Sequence, residues 1–241
     1  MVKRAFALLV ATGAWLMPAT GASASISPSP TWQSSAAEGT WNHDGYLFQN
    51  DMWNCPQSAC GKQTMWADSV GDWGVVSTMA AGNTAVLTYP DIGKLFNDQR
   101  VSDFGMISNG FSESMPRDVQ GLHAEAADDV WLNHYNIEMM IWVDNVGRSL
   151  SGGALVGSAT ISGQHFKVWK YGGSEFIFDL THNEATGGTN ILGSIDWLIG
   201  HGLVPAQVTL TEVEFGVEIA STGGHPMDFK VSNYWLQSDA G

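Results

Sequence analysis

The segment Ile137-Glu138-Met139-Met140-Ile141-Trp142-Val143 holds the first residues whose types and spacing could do chemistry. Side chains of a strand alternate between its two faces, so Ile137, Met139, Ile141 and Val143 form an apolar set for a core. Glu138, Met140 and Trp142 then share the opposite face. A carboxylate, a thioether and an indole in one row fit a sugar-binding groove, where a flat ring stacks on a pyranose and the acid meets the reacting carbon. The plain alternative is a solvated face that carries one Glu. A second stretch, Thr211 to Ile219, divides in the same way, with Val213, Phe215, Val217 and Ile219 on one side and Glu212, Glu214 and Glu218 on the other. Like charges on one face repel, which raises the pKa of the most desolvated member and suits it to act as a general acid. For Glu212 and Glu214 a charged edge strand guarding against aggregation is the stronger reading.

A third acidic segment, Glu125 to Asn133, precedes the Glu138 strand and is expected to pair with it through a two-residue turn at Asn133-His134. That register sets Asp129 directly opposite Glu138 on one face, roughly 5 Å away, and turns Asp128 to the other side. Two carboxylic acids across a groove are the minimum apparatus for breaking a glycosidic bond: one attacks or stabilises the anomeric carbon, and the other protonates the departing oxygen. The chain has no G-x-S-x-G elbow, P-loop or dinucleotide fingerprint. Its seven His residues show no metal-ligand spacing, so neither a metal nor a cofactor is expected.

These residues must be positioned by strands. From Trp41 onward the chain breaks into short alternating segments separated by Gly, Asn, Asp and Pro: 73–79, 85–89, 125–133, 137–143, 166–171, 175–180, 208–221 and 229–236. Charged residues make up only 14% of the chain, while 28 Gly and 11 Trp favour turns and aromatic-lined surfaces over long salt-bridged helices. An all-β sandwich or jelly roll follows. One helix is expected, with Ile191, Leu192, Ile195, Leu198 and Ile199 at helical spacing, Asn190 as its cap and Gly200, Gly202 and Pro205 as stops. Its apolar stripe should pack on the outside of a sheet.

Lys3 and Arg4, an apolar run to about Met17 and a small-residue end at Ala22-Ser23-Ala24 predict a secretory signal over residues 1–24. Residues 25–40 read as a short Ser/Pro-rich lead-in, and 41–238 as a single domain. An exported chain with Cys55 and Cys60 as its two cysteines is expected to bridge them. No later segment is apolar enough to span a bilayer, so no membrane association is expected after cleavage. A net charge of −14, without a local Lys/Arg cluster, makes nucleic acid a poor partner.

Glu138-Met139-Met140-Ile141-Trp142 and Phe215-Gly216-Val217-Glu218 resemble the E-x-M-I-W and F/Y-G-x-E strands of glycoside hydrolase family 12, the secreted β-jelly-roll endoglucanases. Ala126-Ala127-Asp128-Asp129, Asn50-Asp51-Met52-Trp53, Tyr89-Pro90 and the helix before the last long strand add to the likeness, which runs from about Gly45 to Trp235. The resemblance implies two antiparallel sheets with a concave groove and one packed helix. It also implies a metal-free enzyme that hydrolyses β-1,4-glucan with retention of configuration; a monomer is expected. By position Glu138 is similar to the family's nucleophile, Glu218 to its acid/base and Asp129 to the acid that hydrogen-bonds the nucleophile. Asp51, Trp53, Met140 and Trp142 are similar to its groove-lining residues, with Asp51 standing where many members have Asn. Glu138 is expected to keep a low pKa beside donors, and Glu218 a raised one. A xyloglucan-specific enzyme, and a non-catalytic glucan-binding jelly roll, are the competing readings.

Overall fold

The computed structural model describes residues 29–56 and 58–240; the expected signal, residues 1–24, lies outside them. In chain order the strands are β1 (Trp32–Ser34), β2 (Thr40–His43), β3 (Tyr46–Gln49), β4 (Cys60–Ser69), β5 (Asp72–Met79), β6 (Asp91–Arg100), β7 (Phe104–Ser114) and β8 (Leu122–Leu132). They continue as β9 (Ile137–Val146), β10 (Ala154–Ile161), β11 (Gln164–Tyr171), β12 (Glu175–Leu180), β13 (Thr186–Gly187), β14 (Thr209–Thr222) and β15 (Met227–Ala240), with one helix, α1 (Ile191–Gly200), before β14. The strands make a jelly-roll sandwich. Six form a sheet in the order β1-β4-β5-β15-β7-β13, and nine form the sheet β10-β11-β12-β9-β8-β14-β6-β3-β2. β12 runs parallel to β9, whereas the other pairings of both sheets are antiparallel.

Alternation along the strands explains why two layers form. Met139, Ile141 and Val143 of β9, Val213, Phe215, Val217 and Ile219 of β14, and Phe176 and Phe178 of β12 all turn into one buried core. There they meet the facing sheet, where Phe111 and Tyr234 stack on either side of Phe215 at 5.2 and 5.1 Å. The central place of β14, between β8 and β6, rules out the edge-strand reading of Glu212 and Glu214.

Three expectations about elements change. The chain joins the fold before Trp41: β1 pairs with β4, and Trp32 stacks on Trp41 at 6.0 Å, tying the edge strands of the two sheets together. Residues 85–89 form no strand, because Leu87 N–H donates to Ile219 and Tyr89 N–H donates to Asp51, so their backbone bonds go to two different places. Helix α1 begins as expected, with the Asn190 side chain accepting from the Gly193 N–H. It does not lie on an outer sheet face, however. It contacts β7 of one sheet and β10 of the other, and its buried Ile191, Ile195 and Leu198 join the core between them.

Candidate active site

The face of the nine-stranded sheet opposite the core bears a groove of about 700 Å³. Asp129 and Trp131 of β8, Glu138, Met140 and Trp142 of β9, Glu175 and Ile177 of β12, and Glu214 and Glu218 of β14 all line it. Within each strand these positions share one parity, so alternation alone aims them there. Asp128 points the opposite way and is held by the Asn109 amide and the Thr189 hydroxyl.

The β8–β9 turn is longer than the expected Asn133-His134 pair. Asn133, His134 and Tyr135 all have left-handed backbone, with φ of 51°, 56° and 61°, and the Asn133 side chain accepts from the Thr209 N–H at 2.9 Å. Asn136 then closes the turn by donating to the Leu132 carbonyl at 3.1 Å. Glu138 consequently faces Trp131, and Asp129 faces Met140, which makes Asp129 a diagonal rather than a direct neighbour of Glu138. The same turn swings Tyr135 back over Trp131, where its hydroxyl donates to Glu212 at 2.7 Å.

Acids dominate the electrostatics. The Glu138 pKa is pushed up to about 7, first by burial and then by the charges of Glu175 and Glu218. This overturns the expected low value: among the described residues no hydrogen-bond donor reaches the Glu138 carboxylate, so nothing offsets its desolvation. Glu218 is held well above the usual carboxylate range by burial and then by Glu125, with Arg148 opposing. Burial, and then the charge of Glu138, also raises Asp129, whose Oδ1 is buried without a hydrogen-bond partner. Burial and Glu212 bring Glu214 to about 8, although Trp131 Nε1 donates to it at 3.2 Å. Asp51 stands at about 6 through burial and the charge of Glu38.

Aromatic residues divide into floor and rim. Trp53 at the rim is 59% exposed, whereas Met140 and Trp142 are only 3% and 2% exposed. Trp142 is therefore not the open stacking surface that strand alternation suggested: Leu150 packs against its cluster, and the Arg148 guanidinium lies 5.7 Å from its ring centre. Tyr89 crosses β14 above Gly216 to donate from its hydroxyl to the Ala127 carbonyl at 3.1 Å. A Cβ at Gly216 would come within 2.9 Å of the Tyr89 ring and 2.5 Å of the Pro90 carbonyl, so this crossing requires glycine. Beside the rim, Cys55 and Cys60 form a disulfide with Cα atoms 5.5 Å apart.

Three charged residues in or directly behind the groove were not read as site residues from the sequence. Glu125, fully buried on β8, lies directly across from Glu218. Its parity matches that of Asp129, so the alternation of β8 already pointed to it. Glu175 pairs with Glu138 across the parallel β12–β9 ladder. Arg148 follows Gly147, whose φ of 73° turns the chain and whose Cβ would lie 2.5 Å from the Leu122 carbonyl. No periodicity marks Arg148.

A family model described as Glycosyl hydrolase family 12 matches residues 44–238. The chain belongs to this family. It is 25% identical over 212 residues to Endoglucanase A of Aspergillus kawachii, covering 78% of this chain and 85% of that one. Among solved structures it is similar to the xyloglucanase domain of NopAA, a type three effector from Sinorhizobium fredii, in complex with cellobiose. The TM-score there is 0.78 at 23% identity, over 88% of this chain and 100% of that one. It is also similar to a family 12 xyloglucanase from Bacillus licheniformis, with a TM-score of 0.74 at 22% identity over 86% and 100% of the two chains. As a family 12 member the protein is a glycoside hydrolase of the endoglucanase/xyloglucanase kind.

Proposed function

We propose that this family 12 protein is a secreted, monomeric, retaining endo-β-1,4-glucanase in which Glu138 is the nucleophile and Glu218 the acid/base. The observation that carries the reading is that both carboxyls project from separate strands into one groove, where the charge of Glu218 helps to raise Glu138. Their surroundings differ: Glu138 is raised to about 7 by burial and by the charges of Glu175 and Glu218, whereas Glu218 is held well above the usual carboxylate range by burial and by Glu125 directly across the strand pairing. The reaction needs one ionised and one protonated acid, and the fully buried Glu125 behind Glu218 favours keeping the proton there.

In the first step a Glu138 oxygen bonds to the anomeric carbon while the bond from that carbon to the bridging oxygen breaks, and the Glu218 proton passes to the departing oxygen. In the second, Glu218 takes a proton from water, the hydroxyl bonds to the anomeric carbon, and the Glu138 ester is released. Asp129, diagonal to Glu138 and raised by burial and by the charge of Glu138, supports the nucleophile from the neighbouring strand. Trp53 offers its open ring to a glucose unit, with Asp51 beside it and Met140 in the floor. Arg148 and Leu150 crowd the groove over Trp142, and on that narrowing we take an unbranched chain over xyloglucan as the preferred substrate. The Lys3–Ala24 signal pattern and the Cys55–Cys60 bridge support export.

Glu138→Gln and Glu218→Gln should each lower turnover of a soluble glucan by at least ~10²-fold while the melting curve is kept. NMR of fresh products should show the β anomer first. An initial α product would sink double displacement, and near-normal turnover in either variant would remove that residue from the chemistry. A binding module would give no products at all. Faster cleavage of xyloglucan than of carboxymethylcellulose or mixed-linkage glucan would overturn the preference for unbranched chains.

A further inference from the structure

Glu218 does not stand alone behind the groove. Glu125 lies directly opposite it on β8, fully buried, with its Oε1 left without a hydrogen-bond partner, and after burial its charge is the first cause that raises Glu218. Arg148 joins both: its Nε donates to Glu125 Oε2 at 2.6 Å, and its Nη2 reaches Glu218 Oε2 at 3.5 Å. A third guanidinium nitrogen, Nη1, donates to the Thr84 carbonyl at 2.7 Å, and the Asn145 side chain accepts from the Arg148 backbone N–H at 3.0 Å. The arginine is thus fixed from several directions, and the bend at Gly147 delivers it there. Its closer contact is with Glu125, not with Glu218.

We infer that Glu125 and Arg148 are positioning residues that set how tightly Glu218 holds its proton. This rests on the reading of Glu218 as the acid/base. Two carboxyls facing each other across a strand pair cannot both ionise cheaply, so one keeps a proton that it can offer to the other. Arg148 decides which. Its short bond stabilises the Glu125 anion, leaving Glu218 as the protonated partner whose O–H points to a ready acceptor. When that proton leaves for the glycosidic oxygen, the second guanidinium arm covers the new charge on Glu218. The protein therefore carries a fixed Glu125–Arg148 ion pair as a holder for a movable proton.

The other charges facing Glu218 are Asp129 on β8, Glu138 on β9 and Glu175 on β12. All are acids, and all act in the same direction as Glu125. Among the described residues Arg148 is the only cation in the group. Removing the Glu125 charge and removing the Arg148 charge must therefore move Glu218 in opposite senses, a signature that a packing role for either residue would not produce.

The test is the pH dependence of kcat/KM on a soluble mixed-linkage glucan for the parent chain, Glu125→Gln, Glu125→Asp, Arg148→Gln and Glu218→Gln. Activity needs protonated Glu218, so it falls as pH rises through the Glu218 pKa. Glu125→Gln should move this alkaline limb down by ~1 pH unit, a tenfold loss above the new midpoint. Arg148→Gln should move it up by a similar amount. Glu125→Asp, which keeps the charge, should bring the limb back towards the parent position. If Glu125→Gln does not fold, the upward shift in Arg148→Gln decides alone. Limbs that stay within a few tenths of a pH unit in both variants, or that move in the same direction, would overturn the inference even with Glu218→Gln inactive. An active Glu218→Gln would instead overturn the acid/base reading on which it rests.

Discussion

Glu175 offers the sharpest handle on the acid side of the pH profile. It pairs with Glu138 across the parallel β12–β9 ladder and leads the neighbouring charges that raise it. Adjacent strands lie ~4.8 Å apart, which sets the two carboxyls at roughly 6 Å. With an effective dielectric of ~40, between the protein and water values because Glu175 is half-buried, two unit charges at that distance repel by ~1.4 kcal/mol, or about one pH unit in the Glu138 midpoint. Glu138 must be ionised to attack, so activity is lost as pH falls through its pKa of about 7. Removing the Glu175 charge makes ionisation easier, and Glu175→Gln should move the acid limb of kcat/KM down by ~1 pH unit. The assay is initial-rate hydrolysis of a soluble β-glucan across the neutral and acid range, with substrate well below KM so that the free enzyme is read. An acid limb that stays put, or moves up, would refute the assignment of Glu138 as the ionising group and of Glu175 as its principal charged neighbour. A uniform loss at every pH would mean that Glu175 acts only by touching sugar.

Three further outcomes are expected. Trp53→Ala should raise KM for a long glucan about fivefold, the equivalent of ~1 kcal/mol of lost ring stacking, with a smaller effect on kcat; steady-state kinetics on cello-oligosaccharides checks this, and an unchanged KM would take Trp53 out of the binding surface. The Cys55–Cys60 bridge closes a loop of only six residues, worth ~2 kcal/mol by chain entropy, so the Cys55→Ser/Cys60→Ser pair should melt ~4–8 °C lower. Stability should also fall as pH rises from about 5 to 8: Glu138, Asp128 and Glu214 have folded pKa values of about 7, 7 and 8, so the native state binds more protons than the unfolded chain in that window. A carboxyl whose folded pKa lies one above its unfolded value costs ~1.4 kcal/mol once both states are ionised, so thermal scans should show Tm at least ~3 °C lower at pH 8; a higher Tm at pH 8 would contradict the burial of these acids.

The paired Glu motifs were legible because β9 and β14 separate apolar from polar residues without a break, and each strand has a core on one side and a groove on the other. Non-local geometry was less legible. The neighbour of β9 is β12, reached through a parallel pairing that no local pattern encodes, so Glu175 was hidden although its own strand was evident. β6 and β7 were not foreseen: β6 carries Asn97 and Asp98 in left-handed backbone, which breaks its alternation. Arg148 sits in an irregular loop where only the fold brings it to Glu125. The Asp129–Glu138 register moved for a comparable reason, since a side chain from β8's end binding β14 stabilises a turn that local hairpin preferences do not favour.

The raised pKa of Glu138, where a low one was expected, bears on how this site works. A sequence shows which residues share a face, but not whether donors accompany them, and here the groove supplies several acids with Arg148, among the described residues, as the one cation beside the Glu125–Glu218 pair. Burial of that many carboxyls works against the fold, and the apolar sets on the reverse of the same strands must offset it. In such a groove the absolute pKa of either proposed catalytic acid matters less than their order. Acidic neighbours raise both, but Glu218 faces the fully buried Glu125 directly across the β8–β14 pairing, whereas the cross-strand acid facing Glu138 is the half-buried Glu175. The first proton to leave as pH rises is therefore the one on the attacking group, and the last is the one the leaving oxygen needs. A strong donor placed at Glu138 would widen that interval, and one placed at Glu218 would close it; the arginine on this chain sits nearer to Glu125 than to either, which preserves the order while limiting the cost of so much buried charge.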